Sequence, residues 1–186
     1  MALRKGRCYN KINKMAYTRK SKVRSKSYIK AISQTKVPKF LMGDTAGFNQ
    51  GKYNYIVSLR LQEPTQVRDN ALEASRQFIQ RHLDKKVKNY FLIVSTYPHH
   101  VLRENRTLTG AGADRLQTGM KLSFGTSINI AARVPEGGKV FSIACNKEAV
   151  RDVRKILDMV KTKIPGHKVI VVEEMKWIEI WKFFTT

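Results

Sequence analysis

From residue 53 to residue 61 the apolar side chains fall on alternate positions. Tyr53, Tyr55, Val57, Leu59 and Leu61 share one parity, and Asn54, Ser58 and Arg60 the other. A period of two is that of a half-buried strand, and Pro64 ends it. Upstream, residues 37–42 predict a short strand stopped at Gly43 and Asp44, and 47–51 has the composition of a loop. The period then changes. Leu72, Ser75, Ile79 and Leu83, with Phe78 beside them, make one apolar stripe at helical spacing, so a helix is predicted over 65–86, with Thr65 as its cap and Arg68, Arg76 and Arg81 pointing elsewhere. Residues 90–96 read as an apolar strand ended by Pro98. Residues 127–134 and 139–145 read as two strands joined by Pro135, Glu136, Gly137 and Gly138, a hairpin pattern. Val150, Val153, Leu157, Val160 and Ile164 define a second helix, with Asn146 as cap, Glu148 in the first turn, and Pro165 and Gly166 as its stop. A branched strand follows at 168–172. Trp177, Ile178, Ile180 and Trp181 begin a last extended or hairpin segment.

This order, two strand–helix–strand halves without an internal repeat, predicts an α+β fold: one antiparallel or mixed sheet with two helices packed on one face. The expected organisation is a basic N-terminal extension, 1–36, and a single domain, 37–186, interrupted by a long loop at 98–126.

Charge sharpens the picture. The 186 residues carry 36 Lys and Arg against 14 Asp and Glu, a net charge of +22, yet 42% of the chain is hydrophobic. Self-repulsion of that size in a folding chain calls for a polyanionic partner. No apolar run approaches the roughly 18 residues that span a bilayer, and the basic start leads into no signal-like apolar segment, so no membrane partner is expected. Thirteen bases precede the first acid, Asp44. Among them stand Tyr9, Tyr17 and Tyr28. Bases neutralise phosphates and tyrosine rings stack on nucleobases or riboses. Arg4, Lys5, Arg7, Tyr9, Lys11, Lys14, Tyr17, Arg19, Lys20, Lys22, Arg24 and Lys26 are therefore the candidate RNA-binding residues of the extension. Cys8 and Cys145 form no disulfide framework, Cys145 reads as core, and a reducing, cytoplasmic setting is expected.

The residues of chemistry point away from catalysis. Phosphate-loop and metalloprotease patterns are missing, and Gly110-Ala-Gly112 lacks the preceding strand a dinucleotide fingerprint needs. His99 and His100 are adjacent, and neighbouring imidazoles do not converge readily on one ion; packing or RNA contact is the expected role. No cofactor, metal or small-molecule substrate is expected. The long loop is more informative, because a loop of that length in a compact domain is usually functional or disordered. Its glycines, including Gly110 and Gly112, permit close backbone approach. Arg103, Arg106, Arg115 and Lys121 supply cations, and Asn105, Gln117 and Thr118 supply hydrogen bonds. Arg103 and Arg106 stand in a segment without apolar period, so neither is expected in the core.

The run Gly112-Ala-Asp-Arg-Leu-Gln-Thr-Gly-Met120, followed by Phe124-Gly125 and Ala132-Arg133-Val134, closely resembles the signature of a ribosomal protein family. This is the archaeal and eukaryotic large-subunit family L-ten-e, related to bacterial L-sixteen. Arg7-Cys8-Tyr9, Tyr17, the helix around Leu72-Glu73-Ala74 and Arg76, residues 98–103, and Lys163-Ile164-Pro165-Gly166 are similar to it in the same order. The chain departs from the family at Lys121-Leu122-Ser123 and at Thr126-Ser127. The short stretch after Trp177 resembles the archaeal form. The resemblance implies a structural component of the large ribosomal subunit, with a sheet carrying two helices on one side. It implies large-subunit rRNA and neighbouring ribosomal proteins as partners. It also implies a loop directed at the peptidyl-transferase region and the tRNA acceptor end, presenting Arg103, Asn105, Arg106, Gly110 and Gly112. A non-ribosomal RNA-binding or RNA-modifying protein is the alternative.

Overall fold

The alternation at 53–61 resolves into strand β2 (Tyr55–Leu61), but both of its faces are covered: Ile56 and Ser58 are as buried as Val57, Leu59 and Leu61. The reason is its place in the sheet. In this computed structural model, which describes Gly6, Tyr9, Val23, Ile29 and residues 32–104 and 126–175, β2 runs antiparallel between β7 (Lys139–Cys145) and β8 (Lys168–Glu174). With β4 (Phe91–Val94) beyond β7 and β1 (Leu41–Gly43) outermost, the order is β1-β4-β7-β2-β8. One face of this sheet presents Met42, Leu92, Ile143, Val57 and Leu59 to the main core. The other carries a smaller cluster of Phe48, Tyr53, Ile56, Phe91 and Ala144.

The main core is closed by two helices, α2 (Asp69–Lys86) and α3 (Val150–Val160), through Leu72, Ile79 and Leu83 of the first and Val153, Ile156, Leu157 and Val160 of the second. Both helices thus lie on one face, as the two stripes predict. A short helix α1 (Thr45–Asn49) covers the opposite face with Phe48, where composition predicts only a loop. Asp44 explains it: Oδ1 accepts the Gly47 N–H at 2.8 Å, an N-cap that starts the turn.

Three expectations are corrected. Residues Thr65–Arg68 are not helical but form strand β3, and α2 begins at Asp69. Thr65 Oγ1 donates to the Glu63 carbonyl at 3.0 Å, so it caps nothing. Residues 127–134 and 139–145 do not pair as a hairpin: β6 (Thr126–Val134) belongs to a second, three-stranded sheet, β3-β6-β5, with β5 (His100–Glu104). There are therefore two sheets rather than one. The turn between β6 and β7 passes the chain from one to the other and docks on the end of β2. Gly137, at φ +73°, donates to the Leu61 carbonyl at 2.7 Å, and Leu61 donates to the Gly138 carbonyl at 3.1 Å. Finally, Arg76 is buried rather than turned away from the stripe. Its guanidinium donates to both carboxylate oxygens of Glu73, at 2.7 and 2.8 Å, and to Gln80 Oε1 at 2.8 Å.

Cys145 lies in the core as read, and burial pushes its thiol up to about 11. The aromatic segment from Trp177 onward lies outside the described residues. No helix among those described is long and apolar enough to cross a membrane.

Candidate nucleic-acid interface

Residues His100–Glu104 read as loop because His, Arg and Glu stand among only two aliphatics. They form a strand nevertheless, every residue of it buried. Adjacent strand residues face opposite ways, and each face of the small sheet takes one described side chain from before residue 32. On one side Tyr9 packs against Leu102 and Ala131, with the Arg68 guanidinium 5.8 Å from its ring centroid and Asn129 Nδ2 at 3.5 Å from its hydroxyl. On the other, Ile29 packs against Val101 and Ile130, extending the face whose Val67, Ala132 and Val134 join the main core. Farther along the extension, Ser33 Oγ donates to the Ile128 carbonyl at 2.9 Å, and Lys36 Nζ donates to Asn70 Oδ1 at 2.6 Å. Asp69, at the start of α2, is also tied to Lys36, and burial pushes its carboxyl up.

Of the residues singled out from sequence, Tyr9 and Arg103 can be placed. Tyr9 is 7% exposed, so most of its ring lies against protein. Arg103 is 6% exposed, in β5 opposite Ser127, which corrects the expectation that it stands clear of the core. Strand pairing with β6 holds it there, and that pairing is non-local and leaves no apolar period to read. β5 and β6 are the two ends between which residues 105–125 are carried. Arg4, Lys5, Arg7, Lys11, Lys14, Tyr17, Arg19, Lys20, Lys22, Arg24, Lys26, Asn105, Arg106, Gly110, Gly112, Arg115, Gln117, Thr118 and Lys121 lie outside the described residues.

A second basic surface was not singled out from sequence. Arg151, Arg154 and Lys155 are exposed on the outer side of α3 and, with Lys161 and Lys168, line a groove along β8 that contains one acid, Asp158. Lys161 Nζ pairs with Asp158 at 2.8 Å. Lys168 Nζ donates to the Lys161 and Ile164 carbonyls at 2.7 and 2.5 Å, closing the end of the helix, and its burial pushes its ammonium down. Arg151, Arg154 and Lys155 are left to face outward. The signal was present: bases at i, i+3 and i+4 opposite the apolar stripe mark one helix face. Among the described residues no three His, Cys, Asp or Glu side chains come together to hold a metal ion. His99 and His100 diverge, His99 exposed with Nδ1 donating to the Tyr97 carbonyl at 3.0 Å, and His100 buried.

The small sheet takes Tyr9 on one face and Ile29 on the other, from a stretch of sequence with thirteen bases before its first acid. The family model for ribosomal protein L16p/L10e matches residues 12–171, and the chain belongs to that family. It is 42% identical over 169 residues to the large ribosomal subunit protein uL16 of Sulfolobus acidocaldarius, covering 89% of this chain and 90% of the relative. The uL16 protein of Thermofilum pendens is 40% identical over 176 residues, covering 94% and 99%. That of Saccharolobus solfataricus is 43% identical over 169 residues, covering 89% of each.

Proposed function

We propose that the protein is a structural constituent of the large ribosomal subunit and binds large-subunit rRNA there. Family membership across residues 12–171 carries this reading. The net charge of +22 supports it, since a folded chain so charged is stabilised by phosphates packed around it. A structural role also accords with what the exposed chemistry offers: cations and aromatic rings. Within this reading the extension residues from Arg4 to Lys26 neutralise phosphates, as do Arg115 and Lys121, while Gln117 and Thr118 hydrogen-bond. The groove of Arg151, Arg154 and Lys155 adds a further phosphate-facing surface. The segment 105–125, held at its roots by β5 and β6, carries Asn105, Arg106, Gly110 and Gly112 toward the tRNA acceptor end, with neighbouring ribosomal proteins at the flanks.

Sedimentation tests the reading. At low salt the protein should run stoichiometrically with large subunits on a sucrose gradient. A chain that stays at the top, or runs with free RNA only, returns the choice to a non-ribosomal RNA-binding protein.

A further inference from the structure

Segment 32–38 and residues 97–99 enclose a surface cleft of about 610 Å³ that contains no carboxylate. Tyr97 dominates it. Its side chain is 59% exposed, unusual for a ring whose neighbours Pro98 and Val37 are buried. Phe40 backs it, with ring centroids 5.4 Å apart and planes tilted by 34°, so the exposed tyrosine is held in place. Ile32 and Pro38 supply further apolar wall, and Gln34 supplies an amide with both a donor and an acceptor. The exposed His99 ring is tethered through Nδ1 to the Tyr97 carbonyl. Lys39 is exposed next to Pro38, just beyond that wall, while Lys36 turns its Nζ away to Asn70 Oδ1.

We propose that this cleft seats one unpaired nucleobase of an RNA strand, stacked on Tyr97, with a flanking phosphate against Lys39. The inference rests on the RNA-binding reading above and adds a site to it. A π-face open to solvent, an amide for a base edge and an exposed cation on the adjoining backbone are three elements of single-strand recognition. A proline-rich peptide would also find aromatic and proline walls here, but it gains nothing from Lys39 or from the absence of acids in the lining.

The test uses the full chain and a 12-nucleotide single-stranded RNA carrying one 5-iodouracil. Irradiation should attach the probe to the peptide that holds Tyr97. Tyr97→Phe should keep the adduct and the affinity. Tyr97→Ala should lose the adduct and bind roughly 5- to 150-fold more weakly, the span expected for one stacked base. The salt dependence should hold, because it counts phosphates. Lys39→Gln should do the reverse, lowering the log–log salt slope by about 0.7 while keeping the adduct. Equal affinity and equal adduct yield in Tyr97→Ala would overturn the site, as would adducts confined to other peptides of the chain. So would an unchanged slope in Lys39→Gln, which decides the matter should Tyr97→Ala fail to fold. A chain that binds no RNA and leaves the large subunit untouched would instead sink the broader reading.

Discussion

Arg76 exposes 7% of its surface, and a guanidinium is tolerated at that depth only when its donors are met. Glu73 meets two of them, and those bonds hold its carboxyl below the usual glutamate range. A depressed acid stabilises the fold fully above its ordinary pKa, and that contribution is lost as pH falls through the depressed value. The loss of stability on acidification below about pH 5 should therefore be shallower in Glu73→Gln than in the parent; identical acid limbs in urea melts would contradict the pairing. Arg103 is a comparable case. Read as a loop residue, it would tolerate alanine with little change. Buried in β5, its Arg103→Ala variant should lose about 2 kcal/mol, and a denaturation midpoint equal to the parent's would restore the loop reading.

At the scale of elements, what was legible followed periodicity. Helices α2 and α3 announce themselves by stripes at 3.6, and β2, β4, β7 and β8 by branched or alternating runs. β3 and β5 do not, because Thr65–Arg68 and His100–Glu104 gain their strand form from β6, a partner far along the chain, and not from their own pattern. The same non-locality hid the second sheet: a Pro-Glu-Gly-Gly turn reads as a hairpin whether or not its flanking strands pair. The candidate interface was legible as charge and motif, while the burial of Tyr9 and Arg103 and the face of α3 had to wait for tertiary placement. Gly43 marks where β1 must meet β4. It adopts φ +94°, and a Cβ there would stand 2.3 Å from the Tyr90 carbonyl oxygen. Gly43→Ala should cost about 2 kcal/mol, seen as a lower urea midpoint; a change under about 0.5 kcal/mol would show that the edge strand yields freely.

For the whole molecule, the proposed electrostatic duty of the extension can be separated from a structural one. Tyr9 and Ile29 bury against opposite faces of the small sheet. Deleting residues 1–36 should thus lower stability by about 4 kcal/mol from the two lost side chains and also flatten the salt dependence of rRNA binding. Replacing the bases from Arg4 to Lys26 with glutamine should separate the effects. The log–log slope should fall by roughly 4–7 for six to eight lost phosphate contacts, with the melting temperature held. A deletion that melts like the parent would show that the sheet stands without its cladding, and a glutamine variant with the parent's slope would remove the bases from the interface.

The clasp of Tyr9 and Ile29 also bears on how a nascent chain comes off the ribosome that makes it. Synthesis delivers the N-terminus first, but the strands that receive these two side chains, β5 and β6, are made roughly a hundred residues later, some 5–20 s at typical elongation rates. Throughout that interval the most cationic part of the chain has emerged without its docking surface, in a cell crowded with polyanions. The two hydrophobic anchors can close only once the strand pair has formed, so this part of the fold completes last although its residues are made first.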